Sequence, residues 1–189
     1  EGGLKCDKLS MDAAKVYRMP YINLHYPEFL YKTRDEKNWY ELYIQNAMRT
    51  LSYGATFCAQ YPDFVKLSEE GRLTPLLAFS ARANSIPWVT ESHAVEIEPL
   101  IKVTGSVWAD RDNLLVAIFN DRDEDVYVIA KIDKEILAKY NQGGDGQVRF
   151  TILGQNGSDR KDGTFTKEDD RRFTIIKGNL GPKELVLVE

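Results

Sequence analysis

The chain has no apolar run near the roughly 20 residues that a helix needs to cross a bilayer, which excludes a helical membrane span within it. Histidine and cysteine are scarce, with two of each in 189 residues. Cys6 and Cys58 stand in different segments with no CxxC or Cys/His spacing, so no zinc site is expected. They read as two buried or free thiols, with a disulfide between them as the open alternative. The GxSxG elbow, the Walker loop, the HExxH helix and the dinucleotide fingerprint are all missing, which removes the hydrolase, kinase and dehydrogenase chemistries tied to them. An excess of cationic residues is missing too. A net charge of -4 supplies no broad positive field for a phosphate backbone, so neither nucleic acid nor a membrane surface is an expected partner.

What is present is ordinary globular material, 43% hydrophobic and enough for a real core. Near residue 95 the hydrophobic period changes from about 3.6 to 2, which marks a helical first unit (1–94) and an all-strand second unit (95–189). The N-terminus, Glu1-Gly2-Gly3, lacks both an initiator methionine and the order of a signal peptide. The expectation is therefore a C-terminal portion of a larger polypeptide, secreted or periplasmic only if upstream residues direct it there.

In the first unit, Ser10 to Arg18 reads as a short helix ended by Pro20, and Tyr21 to Tyr26 as a buried strand. Thr33-Arg34-Asp35-Glu36 fits a capping box. The helix it opens carries Tyr40, Tyr43, Ile44, Ala47, Met48 and Leu51 on one face and ends at Gly54, which accepts the left-handed turn. A strand over 55–59, a helix over 63–69 and a further helix starting at Thr74-Pro75 follow. That rhythm is α/β, and the missing strands of a barrel would lie upstream. A compact helical cap on the following sheet is the alternative.

The second unit reads as an antiparallel β-sandwich with strands at 98–108, 113–120, 126–132, 147–153, 172–177 and 184–188, separated by Asp, Asn and Gly turns. Leu114 to Phe119 is apolar on both faces and reads as a central strand. Lys134 to Tyr140 reads as one helical excursion. Asn120 to Asp125 has the oxygen content of a calcium loop, but Val126 replaces the required glycine and Ile132 the bidentate glutamate, so it reads as a turn. Asn156-Gly157-Ser158 matches a glycosylation sequon and equally a tight turn.

The polar group after the first strand holds the candidate site. His25 and Glu28 are the candidate catalytic pair, since a carboxylate beside a histidine supports acid/base chemistry, and Asn23 and Tyr26 are candidate substrate-binding groups. The plain structural alternative is a histidine satisfied beside a tyrosine. Glu1 is a weaker carboxylate candidate, and no second member of a hydrolytic carboxylate pair can be picked. Neither a cofactor nor a metal is implied.

Pro20 to Phe29, Thr50-Leu51-Ser52-Tyr53-Gly54-Ala55 and Ser106-Val107-Trp108, taken in order, resemble the tail of bacterial glycoside-hydrolase-like proteins. The resemblance covers the whole chain through short motifs. It implies the terminal part of a (β/α)8 barrel packed on a C-terminal β-sandwich, a carbohydrate substrate, and a sandwich that braces the barrel. The competing expectation is a non-enzymatic carbohydrate-binding or structural module, with Trp88, Trp108 or Tyr127 stacking on sugars. The ordinary place for those aromatics is the core or the seam, and Ile86-Pro87-Trp88-Val89 is apolar enough to be that seam.

Overall fold

The computed structural model describes residues 21–23, 36–58, 71–91, 93–140, 148–157, 159–160 and 164–189. The elements expected over 10–18 and 63–69, as well as Glu1, Cys6, His25, Tyr26 and Glu28, lie outside the described residues.

Two four-stranded antiparallel sheets form a sandwich. The first runs in the order β4 (Val103–Ala109), β5 (Leu114–Asn120), β10 (Leu185–Val188), β7 (Phe150–Leu153). The second runs β3 (Val95–Glu98), β6 (Val126–Asp133), β9 (Phe173–Leu180), β8 (Phe165–Asp169). Ahead of them come β1 (Tyr21–Asn23), α1 (Glu36–Ser52), β2 (Thr56–Cys58) and α2 (Thr74–Asn84), with β1 and β2 forming a short parallel pair. The excursion expected after β6 is a single four-residue turn, α3 (Lys134–Leu137), capped by Asp133, whose carboxylate accepts from the Glu135 and Ile136 amides.

The second sheet has the alternation of a half-solvated face. Along β6, Val128, Ala130 and Ile132 are buried while Tyr127 is exposed. The first sheet does not alternate, because both of its faces are apolar. Val116 and Ile118 of β5, with Val186 and Val188 of β10, enter the core between the sheets. Leu115, Ala117 and Phe119, with Leu185 and Leu187, point the other way into a second core, closed by Ile44, Ala47, Met48 and Leu51 of α1 and Leu76, Phe79 and Ala83 of α2. Trp108 lies fully buried there, its ring edge-on to Phe79 at 5.7 Å between centroids.

This arrangement corrects the expected fold class. No terminal part of a (β/α)8 barrel appears among the described residues: the structure is mainly two antiparallel sheets, with two full helices and one short turn. The strand and helix rhythm of the first unit is met instead by helices that cover the outer apolar face of one sheet. The physical reason is that β5 and β10 carry large apolar residues on both faces, so the outer face demands a lid from within the chain. The helical cap held as the alternative describes that layer.

Boundaries differ in instructive places. The strand expected over 98–108 is two strands in different sheets, joined by Pro99 to Lys102, where Lys102 has φ +56°. Leu100 and Ile101 at the tip are the most exposed large aliphatics among the described residues, at 83% and 74%. The edge strand β8 was not expected at all. α2 starts as Thr74-Pro75 implies, but its N-cap position is Leu73, with proline in the first turn. The sequon segment makes a turn in which the Gly157 amide donates to the Gly154 carbonyl at 2.8 Å.

Gly54 ends α1 at φ +88°, and a Cβ there would lie 2.0 Å from Cε2 of Trp88. Gly71 has a similar φ of +73° with no atom of the described residues within 4 Å of a Cβ there. Gly54→Ala should therefore cost roughly 2 kcal/mol or more, whereas Gly71→Ala should cost only about 1 kcal/mol of backbone strain. Urea unfolding of the two variants measures the difference, and equal losses would mean that the indole contact carries no weight.

Candidate functional site

Two polar constellations stand out against the apolar interior. The first fastens α1 to the sandwich. Arg49 lies in the last turn of α1, where a cation also complements the helix dipole. Its Nε and Nη2 donate to Oδ2 and Oδ1 of Asp121 at 3.0 and 2.8 Å, a bidentate pair. The guanidinium stands 5.9 Å from the centre of the Phe119 ring. Lys183 Nζ donates to the Asp121 carbonyl at 2.8 Å and to its Oδ1 at 3.0 Å, and pairs with Asp123 at 3.2 Å.

A row of hydroxyls continues the attachment along β4. Ser52 Oγ and Thr104 Oγ1 share a 2.7 Å hydrogen bond, and Ser106 Oγ donates to the Ser52 carbonyl at 2.9 Å. The loop once compared with a calcium site is thus tied into the protein. Asn120 Nδ2 donates to the Glu124 and Gly181 carbonyls, Asn120 Oδ1 accepts from the Arg122 amide, and Asp121 is held by two cations. Among the described residues, no group of three His, Cys, Asp or Glu side chains stands ready to hold a metal ion.

Burial pushes the Asp121 carboxyl up, but hydrogen bonds and charge from Arg49 and then Lys183 outweigh it, leaving the group below the ordinary aspartate value of 3.8. Such a group stabilises the fold above its unfolded pKa and loses that contribution as pH falls through the folded value.

The second constellation is a cleft of about 320 Å³ lined by Trp88, Thr90, Glu91, His93, Gly105 and Ser106, together with apolar neighbours. It opens where the segment from α2 to β3 crosses the edge of β4. Trp88 bridges to Trp108, the Val89 amide donates to the Val107 carbonyl, and the Ala109 amide donates to the Pro87 carbonyl. The segment then turns away, and the Ala94 amide donates to the Glu91 carbonyl. His93 is exposed with φ +73°, a left-handed conformation uncommon outside glycine. Glu91 is oriented by the Tyr140 hydroxyl, which donates to Oε2 at 2.8 Å, and has Lys139 Nζ at 3.8 Å from Oε1.

Among the described residues that line the cleft, Glu91 is the one carboxylate. Of the candidates read from the sequence, Asn23 lies in β1 opposite Cys58, while His25, Tyr26 and Glu28 fall outside the described residues. Of the three aromatics, Trp108 is core, Tyr127 is exposed on the outer face of the second sheet, and Trp88 borders the cleft. The Arg49 to Asp121 pair was not legible, because the two residues are 72 positions apart. His93, one of only two histidines, was the available signal for the cleft. No family model matches the chain, and neither does any curated protein or solved structure.

Asp121→Asn should lower stability at neutral pH by about 2 kcal/mol, since it leaves two cations with a weakened partner in a partly buried place. Below the ordinary aspartate range the two proteins should converge, because the native carboxylate has by then taken up its proton. Urea unfolding at pH 7 and at successively lower pH tests this. A constant gap would show that shape, and not charge, is what the substitution removes.

Proposed function

We propose that this chain is the bracing sandwich of a carbohydrate-active hydrolase, holding a helical layer in place for the remainder of a larger polypeptide, while hydrolysis itself belongs to that larger protein. The observation that carries the bracing reading is the single apolar core shared by α1, α2 and the outer face of the first sheet. It is reinforced by the Arg49, Asp121 and Lys183 cluster and by the Ser52, Thr104 and Ser106 hydroxyl row. A freely moving appendage would have neither a common interior nor charge-assisted ties across it. The carbohydrate class is supported by the sequence resemblance and by the Trp88 cleft, which combines an aromatic ring with several hydrogen-bonding groups. A non-enzymatic binding module is the second reading, and the same cleft favours it.

The chain alone should show no turnover of glycoside substrates. Limited proteolysis should not yield two stable pieces cut near residue 92, because Ile86 packs in one core and Val89 in the other, pinning the crossing segment at two points. Hydrolysis by the isolated chain would overturn the division of labour, and clean separation into two folded halves would overturn bracing.

A further inference from the structure

β4 is an outer strand of its sheet, with β5 as its sheet neighbour. The bond from the Val89 amide to the Val107 carbonyl shows that the main chain of Val107 faces away from β5, and the two-residue period turns that of Gly105 the same way. The crossing segment covers this edge only as far as Val89. Beyond it, among the described residues, the outward amide and carbonyl of Gly105 have no backbone partner, and both Gly105 and Val107 line the cleft. The lack of a side chain at Gly105 is also a packing requirement: a Cβ would come within 2.4 Å of Ile97 Cδ1.

The opposite wall brings three further groups to the same space. Trp88 is half-buried, with Cε2, Cζ2 and Nε1 of its indole lying over Gly54. Glu91 is held in place by Tyr140. His93 presents an imidazole from a strained backbone, and no hydrogen bond within the described residues engages that ring. A peptide edge with one donor and one acceptor, a fixed carboxylate, an imidazole, the Thr90 hydroxyl and an aromatic plane together suit a ligand bearing closely spaced hydroxyls on an apolar ring. A phosphate or carboxylate ligand is disfavoured by Glu91. An extended peptide needs several outward residues of a free edge, and among the described residues β4 offers two, Val103 and Gly105.

We propose that the cleft between the β4 edge at Gly105 and residues 88–91 and 93–95 is a binding site for a neutral sugar, of one or two rings by its volume, with Trp88 as the apolar platform and Glu91, His93, Thr90 and the Gly105 peptide as hydrogen-bonding partners. The choice of a sugar rests on the carbohydrate reading above. The site itself rests on the open edge and the side chains converging on it. It is a binding site with no catalytic role.

The experiment is an amide and indole NMR titration of the full chain with glucose, galactose, xylose and their β-linked disaccharides up to tens of millimolar. At least one sugar should move the Gly105 amide and the Trp88 indole signal together in a saturable way. His93→Gly should weaken that sugar by roughly five- to tenfold through loss of a hydrogen bond. The same variant should keep or raise the melting temperature, because glycine adopts the left-handed backbone without strain. Absence of saturable shifts with every sugar overturns the proposal, as does equal affinity in His93→Gly. Bracing is judged separately by proteolysis and by the Asp121 variant, so either idea can fail while the other stands.

Discussion

The constraint on which the fold depends is that β5 and β10 are apolar on both faces. Burying a large aliphatic or aromatic side chain contributes roughly 1.5–3 kcal/mol, and the outer face of the first sheet presents Leu115, Phe119, Leu185 and Leu187. Left bare, that face would be an aggregation surface. Covering it from within the chain requires α1 and α2 to lie flat on the sheet, and it places β4 and the crossing segment at the rim where helices and strands meet. The second sheet carries no such demand, so it keeps one face in water.

Apolar burial explains that the helices dock, and the polar ties explain where they dock. The Arg49 to Asp121 pair contributes far less than the surrounding core, on the order of 2 kcal/mol against several large side chains at 1.5–3 kcal/mol each. Apolar surfaces are nevertheless tolerant of sliding, whereas a bidentate guanidinium and carboxylate pair is satisfied at one position. Ser52, Thr104 and Ser106 add the same kind of restriction one turn further on. Together they set the end of α1 against β4, which in turn leads the chain through Gly54 beneath Trp88.

How much of this was legible follows from range. Short apolar runs bounded by turn residues announced β5, β6, β9 and β10, and the spacing of Tyr43, Ile44, Ala47, Met48 and Leu51 announced α1, because each of those signals is local. β8 escaped because Thr166, Lys167, Glu168 and Asp169 are the polar, charged residues of an edge strand and carry no alternation. The barrel expectation failed for a different reason. A strand and helix rhythm states which elements form but not which surface they cover, and the deciding surface lay some 60 residues downstream in β5. The cleft was illegible for the same reason, since Glu91 and His93 acquire meaning only beside Gly105.

The treatment of sheet edges gives that cleft its physical setting. An exposed edge invites pairing with other chains, and three of the four edges of the two sandwich sheets are blunted. β3 is four residues long with Glu96 and Glu98 exposed, β8 is charged, and β7 is short and bridged at Leu153 by Asp159. β4 is longer and more apolar, so it needs a covering segment, which Pro87 to Val89 supplies. That segment must still leave the edge to feed β3 in the opposite sheet. His93, with its left-handed backbone, lies on the way out, and because one segment serves both sheets Gly105 is left without an outward backbone partner among the described residues.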